Sequence, residues 1–111
     1  MKPKIYNIEM KRGADYNLEI QMMDDNNNPF DLSNYEWKAQ MREKPESALA
    51  YDFAISTVPT QGKVSLFMPY DLTDKIMFSD GVWDIYYTIG EEQRESLLEG
   101  KVSVTWRATE F

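Results

Sequence analysis

The sequence contains no cysteine and no histidine. Without cysteine there are no disulfides and no thiolate metal sites, and nothing marks the redox compartment. Without histidine the chain lacks the commonest general base, the commonest zinc ligand and the usual switch near neutral pH. No uncharged apolar stretch approaches the ~20 residues that a membrane span needs. The opening Met1-Lys2-Pro3-Lys4-Ile5 has neither an apolar run nor a small-residue cleavage site. No signal peptide is therefore expected, and the chain should be soluble as made. No glycine-rich loop precedes a helix, which excludes a phosphate cradle. Positive charge is also scarce: 12 Lys and Arg face 19 Asp and Glu, for a net charge of −7. An acidic chain gains nothing from counterion release, so neither nucleic acid nor an anionic membrane is an expected partner.

Apolar bulk, in contrast, is ample. Hydrophobic residues make up 42% of the 111 positions and aromatic residues 14%. That suits one domain spanning residues 1–111, burying about two-thirds of the roughly 19,000 Å² exposed when unfolded. Aromatic side chains also fit a pleated, half-buried surface better than a helix. Alternation of period two runs along most of the chain. Tyr6, Ile8 and Met10 share a face, and after the Gly13-Ala14-Asp15 turn so do Tyr16, Leu18, Ile20 and Met22. A third set, Tyr35, Trp37, Ala39 and Met41, follows the Asp24–Pro29 loop, and Glu43-Lys44-Pro45-Glu46-Ser47 breaks it. Leu49, Tyr51, Phe53 and Ile55 make a fourth strand. Val64, Leu66 and Met68 make a fifth after the Thr60-Gln61-Gly62 turn.

The period then changes. Leu72, Ile76 and Met77 fit one face of a helix of about two turns, with Asp71 as its N-cap and Asp80-Gly81 as its end. Trp83, Ile85, Tyr87 and Ile89 form a sixth strand. After a bend at Glu91-Glu92-Gln93-Arg94, Leu97, Leu98, Val102, Val104 and Trp106 form a seventh. About seven short strands and one short helix make an all-β domain, either a sandwich or a small barrel.

Candidate chemistry is thin. Asp24-x-Asn26-x-Asn28 opens like a calcium loop, but Pro29 replaces the sixth-position glycine and Tyr35 the closing glutamate. A plain Asx turn is the better reading. The carboxylate pairs Asp71/Asp74, Asp80/Asp84 and Glu91/Glu92 sit at caps, turns and solvent faces, where acids are common for other reasons. No catalytic, cofactor-binding or metal-binding residues are assigned, and neither cofactor nor small-molecule substrate is expected. Tyr35, Trp37, Tyr51, Trp83, Tyr86, Tyr87 and Trp106 are enough aromatics for a sugar platform or an interface hot spot. Trp37, Trp83 and Trp106 are nonetheless in register with apolar neighbours, as core residues would be. Tyr86 is out of phase with them, on the face of Val82 and Thr88. It marks a strand covered on both sides or a docking surface, and Tyr86, Val82 and Thr88 are the candidate interface.

The order of features resembles the small immunoglobulin-like domains of phage virion proteins, such as the N-terminal domain of baseplate upper proteins. The residues that carry this are Gly13-Ala14-Asp15, Asp24 to Asn28 with Pro29-Phe30-Asp31-Leu32-Ser33, and Trp37-Lys38-Ala39-Gln40-Met41-Arg42. Leu72-Thr73, Gly81-Val82-Trp83-Asp84-Ile85 and Leu98-Glu99-Gly100-Lys101-Val102 complete the series. Such domains often have glycine in the second-to-third strand turn; here an asparagine among Asn26 to Asn28 must supply the left-handed residue. The resemblance implies an antiparallel immunoglobulin-like sandwich and a noncatalytic structural component of a bacteriophage tail, baseplate or other virion part. It would be made in the host cytoplasm and held by other virion proteins or by self-association, through sheet edges (the first and last strands) and exposed aromatics. Two other functions fit the residues: a receptor- or carbohydrate-binding module, and a small acidic host-directed inhibitor or assembly factor.

Overall fold

In a computed structural model, residues 3–91 and 93–110 are described. Met1, Lys2, Glu92 and Phe111 lie outside them, and with them the start of the leader reading, one member of the Glu91/Glu92 pair and part of the expected bend. Nine strands form among the described residues. In chain order they are β1 (Lys4–Ile5), β2 (Ile8–Lys11), β3 (Tyr16–Gln21), β4 (Tyr35–Arg42), β5 (Tyr51–Asp52), β6 (Ala54–Val58), β7 (Lys63–Met68), β8 (Asp80–Ile89) and β9 (Gln93–Thr105). The chain is all-β apart from one turn of helix, α1 (Tyr70–Thr73), and a 3-10 turn at Pro59–Gln61.

The strands make two sheets. The larger runs β1-β9-β8-β4-β5, with β2 also on β9, and the smaller runs β3-β7-β6. The alternating sets of the sequence supply the facing sides. Val64, Leu66 and Met68 of the small sheet are fully buried against Ile8, Met10, Ala39, Met41, Trp83, Ile85, Val102 and Val104 of the large one. Leu32, Phe53, Ile76 and Phe78 close the ends of this core from loops. The envelope measures 46 × 28 × 21 Å. Its surface of 7687 Å² is about a fifth above the roughly 6,300 Å² typical of a folded chain of this mass.

Several expectations need correction. The pairing is not antiparallel throughout, because β1 and β2 run parallel to β9. Both keep one register, Lys4 with Leu98 and Ile8 with Val102, so they are a single strand interrupted at Tyr6-Asn7. At the interruption the Tyr6 carbonyl accepts the Trp83 indole N–H at 2.7 Å, and Asn7 Oδ1 accepts the Lys101 N–H at 3.0 Å. The fourth expected strand is also divided. Tyr51–Asp52 pairs with β4 and Ala54–Val58 with β7, so the chain changes sheets at Phe53, and Leu49 is left exposed.

The helix is one turn, not two. Pro69 occupies the N-cap, Asp71 lies inside the first turn, and Met77 is 87% exposed. Leu72, Thr73 and Ile76 still face inward, because the chain continues through hydrogen-bonded turns at Lys75 and Ile76. Asp80-Gly81 begins β8 instead of ending a helix. Trp106 lies beyond β9 and is 72% exposed, so it is not core. Trp37 is only half-buried. Of the turns, Asp24–Pro29 forms as expected: Asp24 Oδ1 accepts the N–H groups of Asn26 and Asn28 at 2.9 Å each, and Asn27 takes the left-handed φ of 62°.

Candidate docking face on the large sheet

Strand β8 is central in its sheet, between β4 and β9, and its inner residues Trp83, Ile85 and Tyr87 enter the core. Period two then turns Val82, Asp84, Tyr86 and Thr88 to the opposite face. No other element among the described residues covers that face, which forms an open groove of about 860 Å³. All three candidate interface residues line it. Tyr86 is 39% exposed, while Val82 and Thr88 are half-buried between their neighbours.

Register sets what surrounds them. Lys38 and Ser96 flank Tyr86, Glu36 and Arg94 flank Thr88, Gln40 and Glu99 flank Asp84, and Arg42 and Lys101 flank Val82. The β8–β9 register shifts by one residue at this point: Ile85 pairs with Leu98 but Tyr86 with Ser96, leaving Leu97 as a bulge. A bulge reverses which residues face outward. Glu99 and Lys101 point out on one side of it, and Arg94 and Ser96 on the other. Arg94 and Thr88 are thereby brought together, with Arg94 Nε donating to Thr88 Oγ1 at 3.4 Å.

Charge on this face is balanced: Lys38, Arg42 and Arg94 line the groove with Glu36, Asp84 and Glu99. Arg42 is held in place, donating to the Ser47 carbonyl at 2.5 Å and to Gln40 Oε1 at 3.3 Å. Gln40 in turn donates to Asp52 Oδ1 at 2.5 Å. The ion pairs among the described residues, Lys63–Glu19 and Arg107–Asp74, lie elsewhere, so the charges of the groove remain available. Burial pushes the Asp84 carboxyl up, and the Glu99 carboxylate adds to the shift against the opposing pull of Arg42. Ile5, 68% exposed, extends the apolar centre toward the sheet edge. Exposed apolar side chains ringed by both signs of charge are a surface that another protein surface can fit.

The remaining aromatics do not assemble into one platform. Tyr35, Trp37 and Tyr87 cluster on the inner face of the large sheet, with ring centroids 5.2–5.8 Å apart. Tyr87 donates its hydroxyl to Glu95 Oε2 at 2.6 Å, which with burial pushes the phenol up to about 12. Trp83 packs edge-on against Phe53 and Tyr6, and Tyr51 against Phe78. Trp106 covers Arg12, whose guanidinium carbon is 4.2 Å from the ring centroid. Asp74 pairs with Arg107 and not with Asp71.

Sequence reading missed Arg12, Ile5 and the bulge at Leu97. Arg12 is 2% exposed and donates to the carbonyls of Ile76, Phe78 and Val104. A lone arginine before a glycine turn reads as a solvated charge, so no pattern announces it. The adjacent Leu97-Leu98 pair, which breaks strict alternation, is the one signal that could have shown the bulge. Comparison with protein-family models and with curated proteins finds no match.

Proposed function

We propose that the chain is a noncatalytic structural component of a bacteriophage particle, attached to other virion proteins through the outer face of its large sheet. The observation that carries this is Tyr86, exposed at the middle of an open, charge-balanced sheet face in a chain of net charge −7. Balanced charge lets an acidic protein approach other surfaces without general repulsion, and an exposed tyrosine at the centre of such a patch is a common binding anchor. The bulge beside Tyr86 is the kind of irregularity that re-aims side chains at functional surfaces. An immunoglobulin-like sandwich is in keeping with two facing sheets whose first strand lies parallel to the last. The phage assignment itself draws on the ordered sequence features that resemble virion domains.

The expected sheet-edge contacts are revised in one respect. β9 is an interior strand over Leu98–Thr105, paired with β8 on one side and β1 and β2 on the other. The test is incorporation into particles, followed by mass spectrometry of purified virions, for the native chain and for Tyr86→Asp. The native chain should be present, and the variant should fold with an unchanged urea midpoint yet be lost from particles. Absence of the native chain would refute the virion reading. Unfolding of the variant would place Tyr86 in the fold instead of the contact.

A further inference from the structure

We infer that a second copy of the chain pairs with β6 across a twofold axis at Ser56, joining two small sheets into one six-stranded sheet. Sheet edges are normally guarded by charge, proline or a covering element. β2 carries Glu9 and Lys11, β3 carries Glu19, and β5 carries Asp52. β6 reads Ala-Ile-Ser-Thr-Val and, among the described residues, pairs only with β7, and all its residues except Ile55 are exposed. It lies within Phe53–Gly62, a run of ten residues without charge and the longest in the sequence. In a chain of net charge −7, this edge is where two identical copies meet with the least repulsion.

The ladder fixes the register of such a pair. The Gly62 carbonyl accepts the Met22 N–H on the β3 side, so the backbone groups of Lys63, Ser65 and Phe67 face β6 by alternation. Their partners Val58, Ser56 and Ala54 therefore spend their backbone groups on β7. Ile55 and Thr57 direct theirs outward, to no partner among the described residues. In an antiparallel copy centred on Ser56, Ile55 meets Thr57 of the second copy and Thr57 meets its Ile55. The edge is thus self-complementary, with four hydrogen bonds between the copies and both free N–H groups satisfied. The same register sets Asp52 opposite Thr60 of the other copy, so no like charges are opposed. Strands this short form a contact of the transient size class, so pairing should appear at high concentration.

The native chain has no cysteine, so one introduced thiol reports the register cleanly. Ser56→Cys places two thiols in the close, non-hydrogen-bonded pair at the axis. Its Cα atoms would be about 4.5 Å apart, within disulfide reach. With oxidised glutathione as oxidant, Ser56→Cys should yield a covalent dimer at least tenfold faster than Ala54→Cys, whose two thiols would be roughly 13 Å apart. Light scattering from micromolar to millimolar should show the native chain passing from monomer to dimer. Ser56→Glu, which opposes two carboxylates, should raise the dissociation constant at least tenfold, as should Thr57→Pro, which removes an outward N–H. Circular dichroism would check that both variants fold. A strict monomer at millimolar concentration overturns the inference. So does equal cross-linking at positions 54 and 56, or a dimer indifferent to Ser56→Glu.

Discussion

Replacing Arg12 by methionine tests what holds the end of the core where β2, the helical turn and the end of β9 meet. The guanidinium donates to the Phe78 carbonyl at 2.7 Å, the Ile76 carbonyl at 3.0 Å and the Val104 carbonyl at 3.3 Å. Methionine fills much of the same volume without burying a charge, which favours the variant. It also leaves these buried acceptors without their donor. A hydrogen bond from a charged donor contributes about 1.5–3 kcal/mol, and an abandoned buried acceptor costs about 1–3 kcal/mol. Allowing for the relieved desolvation of the cation, a net loss of about 3–5 kcal/mol is expected. That is a large share of the ~5–15 kcal/mol that stabilises a domain of this size. Urea unfolding followed by tryptophan fluorescence measures it, and the midpoint should fall at nearly constant slope. Arg12→Lys should recover only part of the loss, because an ammonium cannot span three acceptors in a plane. A loss below about 1 kcal/mol for Arg12→Met would mean that water reaches these carbonyls, and the reasoning would fail.

Three further outcomes can be checked. Asp84 is raised in the fold, so its contribution is favourable below the unfolded value of 3.8 and is lost as pH rises through the folded value. Asp84→Asn should therefore be more stable than the native chain at pH 7, with the difference vanishing in urea melts below pH 3.8. Tyr87 and Tyr16 are both raised from the ordinary phenol value of 10.0 to about 12, so a spectrophotometric titration should show two phenols ionising near pH 12. Stability present below pH 10 should be lost between 10 and 12, and Tyr87→Phe should reduce that alkaline loss. Finally, a Cβ at Gly100 would overlap the Tyr6 carbonyl oxygen. Gly100→Ala should cost about 1–3 kcal/mol in thermal or urea unfolding and disturb the β1–β9 edge first.

The strands were legible because their inner residues alternate without interruption. Tyr16 to Ile20, Tyr35 to Met41 and Val64 to Met68 needed only period two. Which strands share a sheet was not legible, because alternation records burial and not partners. Tyr51, Phe53 and Ile55 keep one phase even as the chain leaves one sheet for the other. Trp106 shows the opposite failure. Its phase with Val104 continues past the point where β9 ends, and the ring covers a cation instead of entering the core. The open outer face of β8 was readable from one out-of-phase residue, Tyr86. Its electrostatic surroundings were not, since Arg42, Arg94 and Asp84 come together only through register and a bulge.

The parallel pairing of β1 and β2 with β9 also determines how the molecule bears load. Tension entering ahead of Lys4 and leaving beyond Thr105 pulls two neighbouring strands along their lengths in opposite directions. The bonds between Lys4–Lys11 and Leu98–Thr105 then lie across the pull and share it, so they must break together and not one at a time. An antiparallel pair joined by a hairpin, such as β8 and β9, would instead unzip from its open end. Stretched between these two points, the sheet resists in shear along the whole length of the parallel pair.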